Sequence, residues 1–544
     1  MRGLMMDRPL LIQSLIRYAA RYHAETEIVS RTTEGPLHRY TYADAELRAK
    51  QLAKALMRRG VGLGDRVATI AWNNHRHFEA YYAISGIGAV CHTINPRLFA
   101  DQLAYIVNHA QDQALLVDLT FVPLAEKMAA CWPALRHYVV MTDRAHMPVT
   151  SLPNVLCYED IIAAETPELE WPEFEENTAA ALCYTSGTTG NPKGALYSHR
   201  STVLHAYAIC SPNTIGISMH EAICPIVPMF HVNAWGIPYA AAMAGAKLVF
   251  PGSRLDGGSL QELFEGEHVT CAAGVPTVWL GLLQHLEATG KRIDSVKRVT
   301  CGGSAVPVTM IRTFAERYGV DLIHGWGMTE MSPVGSLSIP NPSLMTVDRE
   351  ADYHCRARQG RPLCGVEFKI VGPNGKRVPE DGVTSGELLV RGPWVVGAYF
   401  EDEAASRAAL DPEGWFRTGD IATIDVGGSM QIVDRSKDVI KSGGEWISSI
   451  DLENAAMGHP DVAEAAVIGL PHPKWDERPL LILVAKPGRE LAIDAVVGFL
   501  EGKIAKWQLP DDVVFLPEMP HGATGKVLKT ELREMFKGHR LPTA

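Results

Sequence analysis

The stretch from Tyr184 to Gly194 reads Tyr-Thr-Ser-Gly-Thr-Thr-Gly-Asn-Pro-Lys-Gly. Thr185, Ser186, Gly187, Thr188, Thr189 and Gly190 offer hydroxyls and closely spaced backbone N–H groups, and Lys193 adds a positive charge. With Gly194 completing the set, the backbone is open to close approach by anionic oxygens, so the composition suits a polyphosphate. It is not the Walker loop: G-x-x-x-x-G-K-[ST] needs glycine where Pro192 stands and Ser or Thr where Gly194 follows the lysine.

The elements that position this loop can be read around it. Ala179 to Tyr184 forms a short apolar run leading into the loop, and Val203, Ala206, Tyr207 and Cys210 recur beyond it at helical spacing. Val67 to Trp72 reads as a buried strand, followed by an apolar-faced helix through Phe78 to Gly86. Comparable strands are expected at Ala246 to Phe250, at Val299 to Cys301 before Gly302-Gly303-Ser304, and at Asp321 to His324 before Gly325-Trp326-Gly327. Alternating strands and helices predict α/β layers on parallel sheets, which bind ligands at the carboxyl ends of their strands. From about residue 360 the alternation of Val366, Phe368 and Ile370, the Pro-Asn-Gly turn at 373–375 and the run Gly386 to Arg391 predict a β-rich portion. A boundary is expected near Asp434-Arg435-Ser436-Lys437-Asp438, where Ser448-x-x-Asp451 then opens a helix of a small α+β unit.

With 544 residues and 47% apolar content, several domains with large cores are expected. A net charge of −11 disfavours nucleic acid and anionic membrane as partners, leaving a small molecule. Ten cysteines without a C-x-x-C pair or zinc spacing predict reduced, mostly buried thiols. Asp7, Arg8, Arg17 and Arg21 interrupt the N-terminal apolar residues, so neither a secretory leader nor a spanning helix is expected, and a cytoplasmic location follows.

Six segments in order carry a resemblance over nearly the whole chain: YTSGTTGNPKG at 184, VPMFHVNAWG at 227, GWGMTE at 325, WFRTGD at 415, DRSKDVIKSGGEWIS at 434 and GATGKVLK at 522. The chain resembles the adenylate-forming acyl-CoA synthetase superfamily, its fatty-acyl-CoA synthetase branch, and within that branch the bacterial ligases acting on methylmercaptopropionate in dimethylsulfoniopropionate degradation. The resemblance implies an N-terminal domain, residues 1–436, of two α/β sheets plus a β-barrel, and a mobile α+β lid, residues 437–544, hinged near Lys437. It implies ATP, Mg²⁺ and coenzyme A, an acyl-AMP intermediate, an acyl-CoA product and, by analogy with fatty-acyl enzymes, a homodimer.

The roles implied by resemblance fall on named positions. Lys526 reaches from the lid to the carboxylate and α-phosphate, while Glu330 with Thr185 holds Mg²⁺. The nucleotide meets Thr185 to Gly190, Lys193, Val232, Gly303, Ser304, His324, Gly325, Trp326, Gly327, Thr329 and Glu330. Asp420 takes the ribose hydroxyls, as an ionised carboxylate can accept from two O–H donors, and Arg435, Lys437 and Lys441 add lid-side contacts. Trp326, where the family commonly has tyrosine, offers a face for adenine. His231 walls the acyl and phosphate sites beside Gly302 and Gly303, Trp235 gates the acyl tunnel, and Gly443, Gly444 and Trp446 line the thiol's approach. His521-Gly522 departs from the family's usual basic and small polar pair, at the periphery. A carrier-loading adenylation enzyme, an oxidative luciferase-like use of the adenylate and a degenerate nucleotide-binding regulator are the rivals; Glu330, Asp420 and Lys526 stand against the last.

Overall fold

The computed structural model describes every residue except Arg2, 186–190, 341–347, Ser436, 443–444 and 523–526, and leaves the side chains of Glu445 and Trp446 undescribed. Among the described residues the chain forms four sheets. The first runs Val155–Cys157, His137–Val140, Ala114–Val117, Arg66–Ile70, Val90–Thr93, Ala179–Tyr184 and Gly194–Ser198, parallel but for the last pair. Ala-Leu-Leu-Val at 114–117 and Val-Cys-His-Thr at 90–93 are buried at every position, as strands covered on both faces must be.

A nine-stranded sheet carries Asp321–Gly327, Arg298–Gly302, Cys271–Gly274, Ala222–Pro225, Lys247–Phe250 and Glu27–Arg31 as parallel neighbours, with antiparallel strands at both edges. One large apolar core spans both sheets, joining Phe78, Tyr81 and Ile84 to Tyr239, Phe250 and Ile323. The expected β-rich portion is a four-stranded antiparallel sheet of Glu367–Val371, Gly386–Arg391, Phe416–Ile424 and Met430–Arg435. Beyond it, Ile440–Ser442, Glu445–Ile447, Val462–His472, Asp476–Ala485 and Asp512–Phe515 build a small sheet with its own cores around Leu452, Val467 and Leu481 and around Ile468, Ile482 and Leu532.

Local chemistry starts the helices where expected. Asn74 caps His75–Gly86 by accepting from the His77 N–H, and Ser448 caps Ser449–Met457 by accepting from the Asp451 N–H. Two readings are corrected and one strand is added to them. Gly194–Ser198 is a strand, so the loop closes an antiparallel pair before the helix His199–Cys210 begins. Tyr207 on that helix is exposed, while Val203 and Ala206 are buried. Asp321–Gly327 continues through Gly325-Trp326-Gly327, held by antiparallel pairing to Val334–Leu337.

An ion network is buried between the N-terminal helices. Arg48 donates to Glu79 at 2.7 Å and to both oxygens of Glu159 at 3.0 Å, and Tyr158 O–H donates to Glu79 at 2.6 Å. Arg76 donates to Glu159 at 2.8 Å and to Glu34 at 2.7 Å. Glu79 is 0% exposed, so its charge has no access to water.

Two buried histidines set an acid limit on stability. His199 Nδ1 accepts from the Ile12 N–H and His205 Nε2 from the Val334 N–H, roles that need an unprotonated nitrogen. Burial pushes both rings down to about 3. A folded value below the ordinary 6.5 means stability is complete above pH 6.5 and is lost as pH falls toward 3, by about 2 kcal/mol per ring at pH 5. Asp118 and Asp451, raised by burial to about 6, act oppositely, gaining only about 1 kcal/mol each by pH 5. The melting temperature therefore falls between pH 6.5 and 5; a flat profile across that window contradicts the neutral-ring assignment.

Candidate active site

The cleft is built on the carboxyl ends of strands from both large sheets. Tyr184 ends its strand directly before the glycine-rich loop, and the loop's base is closed by the Thr185 N–H donating to the Lys193 carbonyl at 2.9 Å and the Lys193 N–H donating to Thr185 Oγ1 at 3.1 Å. Lys193 is exposed and stands 5.0 Å from the ring centre of Tyr399. Ser186, Gly187, Thr188, Thr189 and Gly190 lie outside the described residues, as do Gly443, Gly444, Lys526 and the side chain of Trp446.

From the nine-stranded sheet, Gly302 ends one strand and Gly325, Trp326 and Gly327 end its neighbour. A Cβ on Gly302 would come within 2.7 Å of the Gly325 carbonyl and 3.2 Å of the Trp235 indole, so only glycine lets these groups meet. Gly303 comes next with φ of +90° and Ser304 is exposed at the mouth. His324 differs from its expected role in one respect: its ring is buried, bonded to the Ala357 carbonyl at 2.8 Å and pushed down to about 4 by burial.

Asp420 is 2% exposed. Its Oδ2 accepts from the Trp326 indole N–H at 3.0 Å, and its Oδ1 pairs with Arg435 at 2.8 Å. Trp326 thus supplies a hydrogen bond of its own where the family commonly has tyrosine, while its ring meets Phe368 edge to face. Arg435 also reaches the Thr418 carbonyl. Lys437 and Lys441 are exposed just beyond; Arg533 approaches the Lys437 carbonyl and Glu477 accepts from the Lys441 N–H.

Glu330 is 7% exposed, and its Oε1 accepts from the Tyr399 phenol at 2.7 Å. Thr329 next to it is held by Tyr197, whose O–H donates to the Thr329 carbonyl. The oxygen donors here, a carboxylate at Glu330 and a hydroxyl at Thr185, suit a hard cation such as Mg²⁺, which takes one or two carboxylates and completes its shell with phosphate oxygens. No group of three or more His, Cys, Asp or Glu that could hold a metal occurs among the described residues.

His231 and Val232 line a narrow cavity with Thr93, Asn95, Cys183, Tyr184 and Phe230. The backbone here has a shape that sequence reasoning missed: Val232, Asn233, Ala234 and Trp235 all have positive φ, of 43°, 52°, 49° and 58°. Each non-glycine residue there costs about 1–2 kcal/mol, and such strain concentrates at functional sites. The left-handed turn carries Trp235 onto Gly302.

The architecture defines a class: two large α/β sheets, a four-stranded antiparallel sheet and a small C-terminal unit, with glycine-rich strand ends from both large sheets facing one cleft. The AMP-binding enzyme model matches residues 15–400 and the AMP-binding enzyme C-terminal domain matches residues 451–526. The chain belongs to the AMP-binding enzyme family. It is 52% identical to the 3-methylmercaptopropionyl-CoA ligase of Ruegeria lacuscaerulensis, over 99% of each chain. It is 50% identical to the medium-chain-fatty-acid–CoA ligase of Ectopseudomonas oleovorans, over 98% of each. A crystal structure of the anthranilate CoA ligase AuaEII in complex with anthranoyl-AMP superposes with a TM-score of 0.87, at 25% identity and 98% coverage of each chain. No helix among the described residues is long and apolar enough to cross a membrane.

Proposed function

We propose that this chain is an AMP-forming acid–CoA ligase that joins a carboxylic acid to ATP as acyl-AMP, releases pyrophosphate, and passes the acyl group to the thiol of coenzyme A. The favoured acid is 3-methylmercaptopropionate. The observation that carries the reading is full-length identity above one half with a ligase named for that acid; the bonds of Trp326 to Asp420 and of Tyr399 to Glu330 are consistent with it.

In this reading Asp420, oriented by Trp326 and Arg435, accepts from the ribose hydroxyls. Gly302, Gly303 and Gly325 leave the backbone open to the adenine and acyl carbonyl, and the Thr185–Lys193 loop receives the β- and γ-phosphates. His231 and Val232 wall the junction of acyl and phosphate sites, and Trp235 closes the acyl side. Glu330 and Thr185 would hold Mg²⁺, which spreads phosphate charge. Lys526 offsets the repulsion between the attacking carboxylate and the α-phosphate, roughly 4 kcal/mol for unit charges at 4 Å in an effective dielectric of 20.

The lid, residues 437–544, turns about Lys437 between the two half-reactions and brings Gly443, Gly444 and Trp446 to the thiol's path. Two bonds crossing that hinge must release as it turns: the Ser449 N–H to Asp434 at 2.7 Å, and the Ser448 hydroxyl to the Val433 carbonyl. A homodimer and a cytoplasmic location belong to the same proposal.

A medium-chain fatty acid is the second reading, favoured by the near-equal identity with the Ectopseudomonas enzyme. A methylene in an apolar pocket shifts selectivity by about 1–3 kcal/mol, enough to rank homologous acids. Across 3-methylmercaptopropionate, butyrate, hexanoate, octanoate and palmitate, kcat/KM is expected to peak at the thioether acid. A peak at octanoate selects the second reading; activity with a pantetheinylated carrier but not free coenzyme A overturns both in favour of carrier loading.

A further inference from the structure

The segment between Trp394 and Phe400 meets the cleft at three points. The Val396 N–H donates to the Glu330 carbonyl at 2.8 Å, the Tyr399 phenol donates to Glu330 Oε1 at 2.7 Å, and the Phe400 N–H donates to the Gly194 carbonyl at 2.8 Å. These bonds tie the acidic residue on one side of the cleft to the end of the phosphate loop on the other. Tyr399 contributes two of its surfaces: its hydroxyl to Glu330 and its ring face to the Lys193 ammonium, 5.0 Å from the ring centre.

We propose that Tyr399 is a positioning residue that aims the Glu330 carboxylate at a phosphate-bound divalent cation while its ring seats Lys193 over the phosphates. The proposal rests on the reading that Glu330 holds that cation. The chemistry of the partner is what makes it work. Lysine or arginine in place of Tyr399 would fix the carboxylate equally well but neutralise it, weakening its attraction for a cation. A phenol orients the carboxylate and leaves its charge intact.

Mn²⁺ is the probe. Titration calorimetry of ATP, with Mn²⁺ and separately with EDTA, is run without acid or coenzyme A on wild type, Tyr399→Phe, Tyr399→Leu and Glu330→Gln. Tyr399→Phe is expected to bind Mn²⁺–ATP about tenfold more weakly, the effect of losing one hydrogen bond to a charged group. Because its ring still faces Lys193, its affinity for metal-free ATP is unchanged; Tyr399→Leu weakens both. Wild-type affinity for Mn²⁺–ATP in Tyr399→Phe, alongside weakened binding in Glu330→Gln, overturns the positioning role and leaves Glu330 as cation ligand. Equal losses with and without metal in Tyr399→Phe assign Tyr399 to structure alone and also overturn it. Wild-type behaviour of Glu330→Gln removes the reading on which the proposal stands.

Discussion

In Lys526→Ala, acid-dependent acyl-adenylate formation falls by at least about 10²–10³-fold, the range for losing one preorganised electrostatic contact. Thioester formation from supplied acyl-adenylate and coenzyme A stays within about threefold of wild type, because only an interaction specific to the first transition state is removed. The asymmetry follows from charge. Carboxylate and α-phosphate are both anionic when they meet, whereas the second step joins a thiol to a mixed anhydride whose charge is already dispersed. Lys526→Arg gives little rescue, since a planar guanidinium does not occupy the point position of an ammonium. Quenched-flow measurement of the two half-reactions checks the prediction; equal losses in both would contradict the proposed role.

Replacing Arg48 by Met is the largest expected stability change. It strips the cation from Glu79, which lies 0% exposed between Arg48 and Tyr158, and costs about 3–5 kcal/mol as an unpaired buried charge. Arg76 still pairs with Glu159, so that carboxylate is not orphaned. Burial already raises Glu79, and losing Arg48 raises it further. A raised carboxyl destabilises progressively from its unfolded value, near 4.5, up to its folded value and by a constant amount above that, so the deficit of Arg48→Met is larger at pH 8 than at pH 5. Arg48→Met with Glu79→Leu recovers much of the loss. Denaturant unfolding at both pH values measures this; a pH-independent deficit in the single variant contradicts the buried-charge account.

Much of the frame was legible because it obeys local rules. Gly386–Arg391 begins and ends where its run is read, and Ser448-x-x-Asp451 starts its helix through the expected cap. The glycines at 302 and 325 could be placed near the carboxyl ends of strands because short apolar runs precede them, although the second strand runs on through Gly327. The strand Gly194–Ser198 escaped since Ala-Leu-Tyr-Ser runs without a break into a helix, and its pairing with Ala179–Tyr184 is a tertiary fact. Nor could Val232–Trp235 be read as left-handed: a β-branched valine and a tryptophan oppose positive φ, and only Asn233 and Gly236 hint at it.

The bonds that orient the cleft were the least readable. Tyr399 and Glu330 stand 69 positions apart and Trp326 and Asp420 stand 94 apart, so no periodicity links them. Trp326 could be read as an aromatic face, but its N–H to Asp420 emerges only when the four-stranded sheet is laid against the nine-stranded one.

In the proposed reaction the acid becomes an acyl-adenylate before any thiol reacts. Exchange of labelled pyrophosphate into ATP, measured without coenzyme A, tests it most directly. Rapid exchange is expected when 3-methylmercaptopropionate is present and background exchange when it is left out. Background exchange with the acid present, in an enzyme that still accumulates thioester once coenzyme A is added, would contradict it.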